Sequence, residues 1–369
     1  MAKATRPRSP KPAPPTTLKE DVVSIQEVLL GIITISISGF ILLELKSVLL
    51  PFVIAVLLSI IFSPIVTNLK KRNIPTALSL VIVLLTFALV LFLVALLIYS
   101  STESFVNEVP KYEQRLAGII DGLVQSVNQA ASNLNIDLQQ VHWSQAFQLS
   151  SLAGALTSGV GSFLNFLTNL FLMLLFMLFI LAGSGDLGNK IRHAFPDHRA
   201  VQLAGMIANI ERRVRQYLFT KTLVSAATGI ASFFVLWITG VDFPLVWAFL
   251  TFLLHFIPNI GSIIAILLPC TLAFLQFDSA GPVLVTLILL SIVHMTMGNV
   301  VEPKLMAFQL DLSPLMVLVS LIFWGWLWGA WGMILAVPIM ATIKIVFENV
   351  DSFRPLAVIM GGTAPEKAP

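Results

Sequence analysis

Apolar runs long enough to cross a bilayer follow one another along this chain, at about 28–43, 47–68, 75–99, 153–182, 222–239, 244–276, 281–308 and 313–348. Each is near or above the roughly 20 residues that a membrane-crossing helix needs. Hydrocarbon offers no hydrogen-bond partner, so a chain immersed in it must satisfy its own backbone. Only 11% of the residues are charged and 57% are hydrophobic, whereas soluble domains carry roughly a quarter charged residues. The expected fold class is all-α, a polytopic integral membrane protein with about eight transmembrane helices. Several of these are expected to be broken in the C-terminal third.

The breaks lie in the stretch around which the chain is organised, about 243–345. Its apolar runs carry Pro258, Pro303, Pro314 and Pro338 and many glycines. A span that served only as an anchor would avoid them, because proline removes a backbone donor and frees the carbonyl four residues earlier. Pro258 thus frees the carbonyl of Leu254. The same runs hold His255, Asn259, His294, Asn299, Glu302 and Lys304, nearly all the strongly polar side chains of the region. Opened backbone and polar groups at one depth are the makings of a translocation site. The runs 244–276 and 313–348 exceed one ordinary span. Each is either one long tilted helix or two half-helices, with the break at Pro258–Gly261 or at Gly325–Gly332. Their shared form suggests an internal structural repeat.

Between the runs, composition marks the boundaries. Residues 1–24 form a basic, proline-rich tail with no apolar periodicity, expected to be disordered. The first three transmembrane helices occupy 25–99. Within 100–150, Leu116, Ile120, Leu123, Val127, Ala130 and Leu134 recur at spacings of four and three, which predicts an amphipathic helix on the membrane or on a partner helix. A second amphipathic helix, basic, is expected at about 186–220, with Leu203, Ile207, Ile210, Val214 and Leu218 on one face and Arg212 opposite. The remaining transmembrane helices fill 151–350, and 351–369 is expected to be a cytoplasmic tail. Lys70–Arg72 and the basic 184–221 stretch fall on one side of an eight-span chain and the acidic 100–150 stretch on the other. The positive-inside rule then places both termini inside the cell. A nucleic-acid partner is not expected, because the basic residues lie between membrane runs.

The chain contains no GxxxxGK[ST], HExxH, GxSxG or CxxC motif, so neither an enzyme nor a cofactor-binding protein is expected. The single cysteine, Cys270, excludes an intrachain disulfide and reads as core packing. FIPNIGS at Phe256–Ser262 is either a substrate or ion site at a helix break or a packing kink. GNVVEPKL at Gly298–Leu305 is either an interfacial turn, with Lys304 reaching the headgroups, or a site. In the site, Glu302 faces the bundle, holds a cation or proton and takes Lys304 as its partner. His255 and His294 are either hydrogen-bonded structural histidines or proton carriers. Gly325 and Gly329 form a small-xxx-small pair that lets helices approach, within one copy or between copies. The neighbouring tryptophans suit an interfacial belt or a path for an organic solute. Met173, Met177, Met295 and Met297 read as gap-fillers.

NVVEPKLMAFQLDLSPLMVLVSLIFWGWLWGAWGMILAVPIMATIK, starting at Asn299, together with HFIPNIGSIIAILLP, starting at His255, resembles the autoinducer-2 exporter (AI-2E) family of bacterial membrane proteins. The likeness covers about residues 25–350, and the last hundred are the specific part. Ser313 stands where a histidine often precedes this proline, and Ser262 where a second proline is frequent. The resemblance implies about eight transmembrane helices and a secondary transporter or permease. Some relatives export autoinducer-2, and others resemble sodium(lithium)/proton antiporters. The expected protein is an inner-membrane exporter of a small polar solute, in contact with lipid and self-associating. Pro258 and Gly261 open its backbone, Asn259 and Asn299 offer hydrogen bonds, and Glu302 binds the cation or proton. The rival expectations are a cation/proton antiporter and a non-transporting membrane scaffold.

Overall fold

The computed structural model describes residues 25–132, 170–306 and 311–362. The proline-rich tail, Leu134 and the first half of the 153–182 run lie outside them. Every regular element among the described residues is helical. Helix α1, Ile25–Glu44, forms a unit by itself, and Lys46 onward forms a second compact unit. On α1 the side chains of Leu29, Leu30, Ile33, Ile37 and Phe40 are exposed.

In the second unit α2 spans Lys46–Lys71 and α3 Thr76–Ser132. Helix α4 spans Leu170–Ala194 and α5 Asp197–Thr239. A broken pair follows, α6 over Pro244–Leu254 and α7 over Ile260–Gln276. Helix α8, Ala280–Thr296, runs through a π-helical stretch at Met297–Val301 into the short α9, Glu302–Met306. The chain ends with α10 at Pro314–Trp328, α11 at Ala330–Glu348 and α12 at Arg354–Met360. Five described stretches are long and apolar enough to cross a membrane, namely Lys46–Lys71, Thr76–Leu93, Asp197–Thr239, Ala280–Leu305 and Ala330–Glu348.

Two expected boundaries are absent. Helix α3 runs unbroken for 57 residues, about 85 Å at 1.5 Å per residue, far beyond the ~20 residues of a span. The amphipathic face at Leu116 and Ile120 is thus on the same continuous helix as the third apolar run. It packs against α6 and α7. There Tyr112 Oη donates to Asp242 Oδ2 at 2.5 Å, and Arg115 pairs with Asp278. Burial first, and then the bond to Asp242, holds the Tyr112 phenol well above its ordinary pKa. The basic amphipathic stretch likewise continues into the fifth run without a break, as one helix of 43 residues. Neither proline nor glycine occurs within 94–105 or 215–225, so the backbone ladder carries on through the change from polar to apolar side chains.

Helix α5 is the hub, packing against α2, α4, α6, α8, α9 and α11. One buried cluster joins α2, α3 and α4 through Ala55, Val66, Leu80, Val83, Met177 and Leu181. A second joins the far end of α3 to α5, α6, α7 and α8 through Tyr112, Leu236, Trp247, Leu272 and Leu290, with Cys270 packed against it. Met173 and Met177 fill core positions, whereas Met295 is exposed.

Both long C-terminal runs are pairs of half-helices, but the two breaks are built differently. Helices α10 and α11 form a hairpin about Gly329, whose φ of 66° and ψ of −144° suit glycine alone. The close approach lies at Gly332, where an added Cβ would sit 1.9 Å from the Trp324 carbonyl oxygen. Gly325 meets only the Met333 side chain, and nothing lies within 4 Å of a Cβ at Gly329. The expected small-xxx-small pair is thus corrected: Gly329 turns the chain and Gly332 supplies the contact, within one copy. Trp324 and Trp328 are buried against each other with ring centres 4.9 Å apart, while Trp326 is exposed.

The segment after residue 350 folds back as far as the described residues extend. Ser313 N donates to Met360 O at 2.9 Å, and Gly362 N to Asp311 Oδ1 at 3.2 Å. Buried Lys344 donates to the Asp311 carboxylate at 2.7 Å and lies 3.4 Å from Glu348. Ser313 itself caps α10, its Oγ accepting from Met316 N at 3.2 Å. A hydroxyl at this position satisfies an otherwise orphaned helix donor.

Candidate functional site

The π-helical stretch and α9 lie along α5, and this packing defines the site. Lys221 is on the buried face of α5 and only 2% exposed. Its Nζ donates to Glu302 Oε1 at 2.5 Å. The other carboxylate oxygen, Oε2, lies 3.3 Å from His255 Nε2, at ion-pair distance but without the angle of a hydrogen bond. Lys304, the partner expected from sequence, is exposed and outside this cluster. The reason is geometric: residues two apart on a helix point to different faces. A lysine 81 positions earlier in the chain supplies the counter-charge instead.

A cavity of about 420 Å³ opens beside the pair. His255, Pro258, Asn259, Ser262, Ser291, His294, Asn299, Glu302 and Lys221 all line it, with Ile257, Ile263, Ile266, Met295 and Gly298 as its apolar wall. Of the residues singled out in the sequence, the structure gathers His255, Pro258, Asn259, His294, Asn299 and Glu302 around this one space. Gly261 is buried behind the wall, and Lys304 does not line the cavity. The α10–α11 hairpin contributes nothing to the lining.

The break between α6 and α7 shapes one wall. Asn259 has φ 61° and ψ −56°, and Ile260 N donates to Pro258 O at 2.7 Å. This is a γ-turn of the rare positive-φ kind, a conformation that costs on the order of 1–3 kcal/mol. The Leu254 carbonyl freed by Pro258 does not stay open, since it accepts from Ile257 N at 2.9 Å. Gly261 makes the sharp bend possible, because a Cβ there would lie 1.8 Å from that same oxygen. The π-helical stretch shapes the opposite wall. Pro303 cannot donate into the α-helical ladder, and Glu302 N instead reaches back five residues to Met297 O. Such bulges are frequent at functional sites because they re-aim side chains that a regular helix would point elsewhere.

The histidines are the least satisfied groups of the site. Both ring nitrogens of His255 and both of His294 are buried without a hydrogen-bond partner, and the ring centres are 6.1 Å apart. No group of three or more His, Cys, Asp or Glu residues suited to a metal ion occurs among the described residues.

Lys221 was missed in the sequence, yet a signal was present. It continues the apolar face Leu203, Ile207, Ile210, Val214, Leu218 by one further helical step. A lysine in the register of a buried stripe is an unusual position for a charge.

The family model for AI-2E family transporters matches residues 30–352. The chain is 29% identical over 335 residues to the AI-2 transport protein TqsA of Escherichia coli K12, covering 90% of this chain and 94% of that protein. It is 30% identical over 316 residues to a protein of Haemophilus influenzae named as a candidate transport protein, with 85% of this chain and 90% of that one covered. The similarly named YhhT of Escherichia coli K12 is 29% identical over 321 residues, with 86% and 89% covered.

Proposed function

This chain belongs to the AI-2E family of transporters, and from that premise we propose that it is a secondary exporter of a small polar solute. Autoinducer-2 is the first solute to test. A multi-pass membrane transporter is what family membership and the apolar helices together establish. The observation that carries the finer reading is the cavity. It is formed where two helices are broken, it is lined by amides, hydroxyls and imidazoles, and it holds a paired buried charge. The charge balance favours a neutral solute over a bare cation, since Glu302 already has Lys221 as counter-ion. A cation/proton antiporter remains the second reading, because Glu302 is a carboxylate facing the cavity.

Flux into proteoliposomes under imposed proton and sodium gradients separates the readings. Saturable movement of autoinducer-2, with no sodium or lithium movement, is the expected result. Sodium-dependent proton movement without solute flux would replace it with the antiporter. The absence of flux under every gradient would leave the membrane scaffold.

Export further requires the orientation read from the basic loops. Exposed Gln125 and Gln202 are suitable reporters, whereas Ala200 is buried. In a Cys270-free background, Gln125→Cys is expected to react with an impermeant thiol reagent added outside intact cells, and Gln202→Cys only after lysis. The opposite pattern would reverse the direction.

A further inference from the structure

His294 presents a puzzle that the transport reading leaves open. Its side chain is only 4% exposed, and neither ring nitrogen has a partner. A buried polar group left unmet costs about 1–3 kcal/mol, and a polar cavity roomy enough for water can relieve it. His294 lines such a cavity. The surrounding elements define what it faces. Helix α5 presents Lys221 and, one turn earlier, the buried Tyr217. The end of α6 presents His255, and α9 presents Glu302. Helix α7 presents Ser262, Ile263 and Ile266, none of them charged, and α8 adds only Ser291 and Met295 beside His294. Both oxygens of Glu302 are already engaged, one by Lys221 and the other by the close approach of His255.

We propose that His294 is the proton port of this cavity, the first member of a relay that runs from His294 through His255 to Glu302 and ends by releasing Lys221. The relay rests on the cavity being the transport cavity. A proton from cavity water bonds to one ring nitrogen of His294, and the proton on its other nitrogen passes to a bridging water. Ring centres 6.1 Å apart leave room for one such water. That water gives a proton to His255 Nδ1, and His255 Nε2 gives its own to Glu302 Oε2. Both rings end neutral in the opposite tautomer, Glu302 ends as the acid, and one proton has moved in total. An imidazole suits the port because one ring nitrogen can take a proton while the other gives one up, so the ring need not stay charged. Lys221 is then a buried cation without a counter-charge, which the closed arrangement tolerates poorly. The π-helical stretch that carries Glu302 is the element free to respond, since its hydrogen-bond geometry differs from that of the helices on either side. Protonation thereby favours a second position of the 297–302 segment, in the sense that a ligand shifts a population toward the state it binds better.

The test reads that segment directly. Exposed Asn299 is replaced, as Asn299→Cys in a Cys270→Ser background, and its rate of reaction with a thiol reagent is measured at about pH 6 and about pH 8. Each rate is divided by that of Gln202→Cys under the same conditions, which removes the reagent's own pH dependence. The normalised rate is expected to rise about fivefold at the lower pH; His294→Asn and His294→Gln are each expected to keep that equilibrium rise and to slow proton uptake after a rapid pH drop, followed with a pH-indicator dye, by about tenfold or more. Two non-titrating variants guard against one that fails to fold. Proton uptake as fast in both variants as in the parent, or no rise in the parent, overturns the relay. The result is read without any solute, so failure to find a transported solute strikes the transport reading alone. Where flux is found, its ratio between the two pH values should flatten in the His294 variants whatever their absolute rate.

Discussion

Glu302→Gln is expected to destabilise the protein by about 3 kcal/mol, and Lys221→Met by about 1 kcal/mol or less. The two halves of one ion pair are unequal because they are unequally buried. The Lys221 side chain is 2% exposed and the Glu302 side chain 21%. Removing the carboxylate strands an ammonium in the bundle, and the glutamine oxygen replaces only the hydrogen bond. Removing the ammonium leaves a carboxylate that faces the cavity and can be hydrated, while methionine fills the space of the lysine stem. The double variant removes both charges and is expected to recover most of the loss, as replaced buried pairs commonly do. Lys304→Gln, at an exposed position, should stay within about 0.5 kcal/mol of the parent. The melting temperature in detergent checks all four. If Glu302→Gln melts with the parent, Lys221 does not depend on Glu302, and the interfacial-turn interpretation of Glu302 takes over. Transport is expected to be lost in the double variant even though it folds, which distinguishes a working pair from a structural one.

The second large effect lies at two glycines. Gly261→Ala and Gly332→Ala each place a Cβ less than 2 Å from a backbone carbonyl oxygen, 1.8 Å at Leu254 and 1.9 Å at Trp324. Neither oxygen is at the end of a flexible side chain, so the bend or the hairpin itself has to move. Overpacking typically costs 1–3 kcal/mol, and rigid backbone on the receiving side puts both variants at about 3 kcal/mol or more. Gly329→Ala meets nothing within 4 Å but must hold φ 66°, for about 1–3 kcal/mol. Gly325→Ala touches Met333 Cγ at 2.8 Å, and that side chain can turn away, so the cost is about 1 kcal/mol or less. The expected order of melting temperatures is Gly325→Ala highest, then Gly329→Ala, with Gly332→Ala and Gly261→Ala lowest. A Gly332→Ala protein as stable as the parent would show that α10 and α11 do not pack as a tight hairpin. Gly261→Ala should also reshape the cavity, because the γ-turn at Asn259 depends on the bend that Gly261 allows.

The sequence by itself determined the helical class, because long apolar runs have no other way to satisfy their backbone in hydrocarbon. It marked Pro258–Gly261 and Gly325–Gly332 as the places where the runs at 244–276 and 313–348 could break, because proline and glycine weaken the local helical ladder, but it left one long tilted helix open at each. It also picked out Glu302, His255, His294, Asn259 and Asn299, since a polar side chain in an apolar run stands out without any knowledge of its neighbours. Partnership was a different matter. The nearest opposite charge along the chain, Lys304, lies on the wrong face, and Lys221 meets Glu302 only because α9 packs on α5. Long-range pairing leaves no mark on local spacing. A lysine in register with Val214 and Leu218 has to be read as buried against the ordinary expectation for its type, which is why the stripe looked as if it ended before Lys221. The same limit governed the glycines: φ at Gly329 and the contact at Gly332 depend on where the chain returns. Tertiary packing alone chose the partner, the turn and the cavity, because each is a distance between elements far apart in the chain.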